Sequence, residues 1–342
     1  MTKPKVLRLG KIEFGIEKWN EIKKIAEVID CESKDREEFF KDLSNKYSDI
    51  TNIARTFASI KQTGRFDEEL ASKLPSTVVS VSHTGAGYDQ IDVDAFTKRD
   101  IQVSNVTVPV EAPTADTAAW LTITCLRNYQ LGHNNLMNGD WLKKKAAGTP
   151  LGHSPKSQVL GILGMGGIGR AIRDRLKPFG FKDIIYYNRS QLPEELQNGA
   201  KYVTKDELFK QADVICISIP LNNETRHSID KESINKMKDG VILINTARGA
   251  VINEEQLPEL LKSGKIGALG ADVFEHEPKI AKELIELPNV VSLPHMGTHT
   301  SEAIKDMEDW VADNVETCLK TGKVKTIVPE QKNMKIDAKP LV

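Results

Sequence analysis

The stretch VLGILGMGGIGRAI, residues 159–172, decides the fold. Val159 to Leu163 is an apolar run of strand length, and a helical stretch opens at Arg170. Between them lies Gly164-Met165-Gly166-Gly167-Ile168-Gly169, a G-x-G-x-x-G. Alone the pattern is weak. Between a strand and a helix it is the context in which a dinucleotide's pyrophosphate is bound. Gly164 permits the tight turn, Gly166 lets backbone approach the phosphates, and Gly169 lets the helix pack close to the strand. Gly167 and Ile168 complete the loop ahead of a helix N-terminus, whose unpaired N–H groups and positive dipole end suit an anion.

The end of the next strand selects the dinucleotide. An Asp or Glu there bonds a ribose 2′-OH and repels a 2′-phosphate. This chain has Asn188, Arg189 and Ser190 instead. Arg189 can pair with a phosphate, and Asn188 and Ser190 can donate hydrogen bonds to it. NADP(H) is therefore favoured, with NAD(H) as the alternative.

Working outward, strand and helix alternate along the whole chain, which predicts an α/β fold with parallel sheets. A first block runs from KVLRLG to IQVSN, with WNEIKKIAEVI read as one helix. A proline-containing stretch, Val106 to Pro113, precedes a long helix over Thr114 to Arg127. Leu131 to Gln158 is polar and poorly periodic and reads as an excursion. The second block starts at the glycine loop and ends at the strand NVVSLP. A closing helix then spans Ser301 to Thr321.

Composition narrows the function. The 342 residues carry 47 Lys+Arg against 48 Asp+Glu, a net charge of −1, which argues against nucleic acid or anionic membrane as the main partner. No apolar run approaches the ~20 residues of a bilayer span. The N-terminal stretch has no apolar segment of signal-peptide length, and AKPLV carries no retention tripeptide, so a cytoplasmic location is expected. The four cysteines, 31, 125, 216 and 318, form no CxxC and read as thiols of a reducing compartment. The seven histidines form no HExxH, and no protein-built metal site is expected.

Three residues follow predicted strands in the second block: Arg248 after VILINTA, Glu277 in DVFEHEP and His295 after VVSLP. In an open α/β sheet, ligands bind beyond the carboxyl ends of the strands. Each residue alone has a bland reading as a surface or structural group; their convergence on one side of one sheet points to chemistry.

The ordered segments HTGAGYDQID (83–92), GILGMGGIG (161–169), IPLNNETRH (219–227), INTARGAVI (244–252), GADVFEHEP (270–278) and LPHMGT (293–298) resemble the D-isomer-specific 2-hydroxyacid dehydrogenases. Within that family the chain is most similar to fungal glyoxylate/hydroxypyruvate reductase-like members. The resemblance implies two Rossmann-like or flavodoxin-like domains, with the cofactor domain (107–299) inserted into a discontinuous substrate domain (1–106 and 300–342). It implies reduction of small 2-keto acids, such as glyoxylate or hydroxypyruvate, to D-2-hydroxy acids with NAD(P)H, in a homodimer. His295 matches the general acid/base, Glu277 its carboxylate partner, and Arg248 the residue that holds the keto acid. Ala86 and Gly87 match the loop whose amides bind the substrate carboxylate, and Arg55 a further carboxylate contact. Thr246 and Asp272 match positions near the nicotinamide, and Pro220 one along the adenine side. The family often has Arg where this chain has Gly167, so one phosphate contact is absent. Reduction of bulkier 2-keto acids (phenylglyoxylate or phenylpyruvate type) and a dinucleotide-sensing, corepressor-like binding module are the competing readings.

Overall fold

The computed structural model describes residues 3–141, 148–336 and 339–342. The chain forms two compact units, Met1–Val110 with His299–Val342, and Glu111–Thr298.

The first unit is built on five strands: β1 (Lys5–Leu9), β2 (Glu27–Asp30), β3 (Ile50–Thr56), β4 (Ser80–Thr84) and β5 (Gln102–Ser104). All pair in parallel, in the order β2-β1-β3-β4-β5, the flavodoxin-like doubly wound arrangement. The helix Ser301–Thr321 returns from the far end of the chain and packs on β3 and β4. It is capped by the Thr300 hydroxyl, which accepts from the Ala303 N–H at 3.1 Å. Its buried Glu308 accepts the backbone N–H groups of Glu13, Phe14 and Gly15 at 2.6–2.9 Å, pinning the segment that follows β1.

The second unit holds seven strands: β6 (Val159–Leu163), β7 (Asp183–Tyr187), β8 (Lys201–Tyr202), β9 (Val214–Ile217), β10 (Val241–Asn245), β11 (Ile266–Ala271) and β12 (Val290–Ser292). They too are parallel, ordered β12-β11-β10-β9-β6-β7-β8. The order reverses at β6, so β6 and β9 flank the switch point of a Rossmann-like sheet. Every residue of β9 and β10 is buried, because apolar clusters cover both faces of the sheet. The helix Glu111–Arg127 lies on β10 and β11, where Gly270 makes room for Leu121 and Cys125.

Three expectations need correction. The stretch read as one helix ends at Ile25, and Glu27–Asp30 becomes the edge strand β2. An edge strand with only one neighbour is half exposed, so its sequence shows no apolar run. The long helix begins at Glu111, not Thr114, because Pro113 is tolerated in a first turn where its missing N–H has no partner to lose. Part of the supposed excursion is the helix Tyr129–Met137, whose one buried residue is the polar Asn135 while Tyr129, Leu136 and Met137 are exposed, so it carries no apolar period. The portion of that segment over 142–147 lies outside the described residues. No helix among the described residues is long and apolar enough to cross a membrane.

Candidate active site

In the glycine loop, Gly164 has φ +97°, and a Cβ there would come within 2.5 Å of the Ser218 carbonyl oxygen. At Gly169 a Cβ would lie 2.1 Å from the Gly164 carbonyl oxygen, so the helix can meet the strand end only without a side chain. Above Gly166 a Cβ would meet nothing within 4 Å. That open space lies over the extended N-cap of the helix Gly167–Leu176, as a pyrophosphate cradle requires. The residues present fit a dinucleotide.

Asn188 turns its side-chain oxygen to the loop and accepts the Met165 N–H at 2.6 Å. Arg189 and Ser190 are exposed and have no bonded partner among the described residues. Pro220 is exposed, and its carbonyl accepts the Thr225 hydroxyl at 2.7 Å, closing the turn after β9. Ile168 is half-buried in the first turn of the loop's helix.

Beyond the carboxyl ends of β10, β11 and β12 the structure brings Arg248, Glu277 and His295 together. His295 Nδ1 lies 2.8 Å from Glu277 Oε2, while Glu277 Oε1 accepts the Phe274 N–H at 2.8 Å. Burial pushes the Glu277 carboxyl up, but the bonds from His295 and Phe274 and the charges of His295 and Arg248 outweigh it and hold it below the usual range. An ionised carboxylate only accepts, so Nδ1 carries the hydrogen and Nε2 is left to exchange a proton. His295 itself has φ +53°, a left-handed conformation uncommon outside glycine.

Asp272 makes that conformation possible. Its carbonyl accepts the His295 N–H at 2.8 Å, and its carboxylate oxygens accept the Met296 and Gly297 N–H groups, each at 2.7 Å. Burial raises the Asp272 carboxyl against those two bonds. Thr246 is buried at the end of β10 beside Asn245, whose carbonyl accepts the Asp272 N–H at 3.0 Å. Arg248 donates to the Ala247 carbonyl at 2.8 Å, and its own carbonyl accepts from Asn245 Nδ2 at 3.0 Å. A Cβ on Gly249 would lie 1.9 Å from the Phe274 carbonyl carbon, so glycine lets the Arg248 turn press against the loop that carries Glu277.

In the other unit, the loop after β4 turns its carbonyls inward. Ala86 O accepts from Asn105 Nδ2 at 2.8 Å, Gly87 O meets His83 Nε2 at 3.0 Å, and Gly85 O accepts the Val106 N–H at 3.0 Å. The Ala86 and Gly87 N–H groups have no bonded partner among the described residues. Arg55 is only 1% exposed, with Nε near Ser59 (3.3 Å), one terminal nitrogen donating to Gln90 (2.6 Å) and its guanidinium over Phe66. Burial lowers its pKa to about 10.

Three supporting residues escaped sequence reasoning. His83 holds the loop of Ala86 and Gly87 through the Gly87 carbonyl. His227 Nε2 lies 2.8 Å from Glu275 Oε1, and its N–H donates to Ala250, tying the Arg248 turn to the Glu277 loop. Glu254 accepts the Glu275 N–H at 2.9 Å. The signal was present in the TRH and FEHE segments, but their pairing spans 48 residues and needs the fold. Among the described residues no group of His, Cys, Asp and Glu is placed to hold a metal ion.

A glycine cradle beside an Arg/Glu/His cluster on a Rossmann-like sheet defines a nicotinamide-dependent dehydrogenase. Residues 119–297 match the family described as D-isomer specific 2-hydroxyacid dehydrogenase, NAD binding domain. The chain is 52% identical to glyoxylate reductase 1 of Saccharomyces cerevisiae, covering 99% of each chain. It is 43% identical to 4-methyl-2-oxopentanoate reductase A of Aspergillus oryzae, over 97% of this chain and 99% of that one. Its fold is similar to the crystal structure of a glyoxylate reductase from Paecilomyes thermophila, with a TM-score of 0.93, 43% identity, and coverage of 97% of this chain and 100% of that one. The chain belongs to the D-isomer-specific 2-hydroxyacid dehydrogenases. It is an oxidoreductase that uses a nicotinamide dinucleotide to interconvert small 2-keto and 2-hydroxy acids.

Proposed function

We propose that this enzyme reduces glyoxylate and hydroxypyruvate, giving the D product where one is chiral, with NADPH as the preferred reductant. The observation that carries the reading is the His295–Glu277 pair beside Arg248 at the strand ends of the glycine-loop unit. When bound, the reduced cofactor supplies a hydride to the keto carbon. His295 gives a proton from Nε2 to the developing alkoxide oxygen, and Glu277 favours the imidazolium that donates it. Arg248 holds the keto acid through charge-assisted bonds. The Ala86 and Gly87 amides are the proposed carboxylate contacts in the other unit; their inward-bonded carbonyls and free N–H groups support that role. Arg55 is the looser candidate for the same carboxylate: one terminal nitrogen donates to Gln90 and the guanidinium lies over Phe66, while its buried Nη1 has no hydrogen-bond partner among the described residues. We assign the discontinuous unit as the substrate domain and the inserted one as the cofactor domain.

NADPH preference is supported by Arg189 and Ser190, exposed beside Asn188 where an NAD-selecting carboxylate would stand. One bond from Arg189 to a 2′-phosphate contributes ~1.5–3 kcal/mol, about ten- to a hundredfold in affinity. The name of the Aspergillus relative favours a second reading, in which a branched 2-keto acid is the better substrate. A homodimer is supported by exposed apolar residues of the inserted unit, among them Met137, Trp141 and Leu151. Four free cysteines, three of them buried, suit the cytoplasm.

The test is a panel of glyoxylate, hydroxypyruvate, 4-methyl-2-oxopentanoate and phenylglyoxylate with NADPH or NADH, on wild type and Arg189→Ala. Glyoxylate and hydroxypyruvate should give the highest kcat/KM. Arg189→Ala should raise KM for NADPH and leave NADH nearly unchanged. Preference for the branched or aryl acid would overturn the substrate assignment, and equal effects on both cofactors would overturn the role of Arg189.

A further inference from the structure

Gly167 is the first residue of the glycine-loop helix, and it stands against a carboxylate. A Cβ built there would lie 1.7 Å from Glu111 Oε1 and 2.4 Å from its carboxyl carbon. At Gly166, one residue earlier, a Cβ would meet nothing within 4 Å. The cradle is thus open on one side and bordered by a negative charge on the other. Glu111 comes from the start of the helix Glu111–Arg127, in the same unit. Its carboxylate is half-buried and has no hydrogen-bond partner among the described residues. Burial pushes the carboxyl above its ordinary value, while the charge of Arg170, one turn along the loop's helix, pulls it down. No cap or ion pair with good geometry explains why an acid sits there.

We propose that Glu111 is a counter-charge built into the pyrophosphate cradle, which weakens dinucleotide binding and eases release of the spent cofactor, and that residue 167 is glycine to make room for it. The inference rests on the dinucleotide reading of the glycine loop. A pyrophosphate drawn to the helix N-terminus meets a like charge at the first turn, and Arg170 has part of its field already cancelled. Binding requires the Glu111 side chain to swing aside or take up a proton. An Arg at position 167 would instead attract the phosphates, and its Cβ would displace the flexible end of the Glu111 side chain from the place it holds here. Product release, not chemistry, limits turnover in many enzymes, so a lower affinity for the spent cofactor serves rate.

The experiment is direct titration of NADPH, and separately of NADP⁺, into wild type, Glu111→Gln and Glu111→Ala, followed by calorimetry or quenching of tryptophan fluorescence. Both variants should bind about tenfold tighter, a ~1.4 kcal/mol change of the size a partly screened like-charge contact produces. The gap should narrow in about 0.5 M salt, where such a contact is screened. Melting temperatures show whether each variant is folded, and either folded variant suffices for the comparison. Binding equal to or weaker than wild type in a folded variant overturns the inference. If wild type binds neither dinucleotide, the cofactor reading falls, and this inference with it.

Discussion

At the scale of single residues, the proposed chemistry depends on how His295 is held. Its left-handed backbone is costly for a residue with a Cβ, on the order of 1–3 kcal/mol. The Asp272 carboxylate offsets that cost by closing the turn with two N–H bonds. Glu277 fixes the ring from the other side, with one oxygen on Nδ1 and one on its own loop. The sign of the pH dependence follows. Reduction consumes a proton, so activity falls as pH rises and the imidazolium is lost. In the proposed mechanism the Glu277 carboxylate, held below its usual range by His295, Phe274 and Arg248, stabilises the positive charge of the proton donor. Glu277→Gln should therefore shift the alkaline limb of kcat/KM for the keto acid to lower pH, with lower activity mainly above neutrality. Profiles measured from pH 5 to 9 would check it; an unchanged limb removes Glu277 as the partner. Asp272→Asn should cost activity differently, because it loosens the turn that aims His295 without removing a charge from the ring's partner.

At the scale of elements, both sheets place their loops by the same rule: parallel strands end on one edge, and the loops there carry the polar residues. The central strands were legible because burial on both faces leaves continuous runs such as VICI and VILI. The glycine loop was legible because each glycine answers a specific steric demand. Gly169→Ala tests that demand: the added methyl would meet the Gly164 carbonyl, so stability should fall by about 1–3 kcal/mol. Urea denaturation with and without NADPH measures it, and an unchanged midpoint with normal cofactor affinity would show that the close approach is not needed. What the sequence concealed was of two kinds. Edge strand β2 and the short helices Glu194–Gln197 and Lys282–Ile285 bury too little, or are too brief, to show a period. Pairings across long separations, His227 with Glu275 and Glu111 with Gly167, exist only once strands are ordered in space. Arg248, Glu277 and His295 escaped that limit because each follows a strongly patterned strand.

At the scale of the whole molecule, the two units have separate cores and separate sheets. The proposed homodimer would cover some of the exposed apolar residues of the inserted unit, Met137, Trp141 and Leu151 among them. Light scattering after gel filtration should give twice the chain's mass of 38.0 kDa, and Leu151→Glu with Met137→Glu should move it toward one. A wild-type monomer at micromolar concentration would contradict the dimer. The reading proposed for this molecule is reduction of a small 2-keto acid with a proton delivered by His295. Its most direct test is NADPH consumption with glyoxylate, read from the loss of near-ultraviolet absorbance, for wild type and His295→Ala side by side. Wild type should turn over, and the variant should show a kcat lower by at least ~10²-fold with NADPH affinity little changed. No turnover by wild type with any 2-keto acid, or a variant with near-wild-type kcat when chemistry limits the rate, would contradict it.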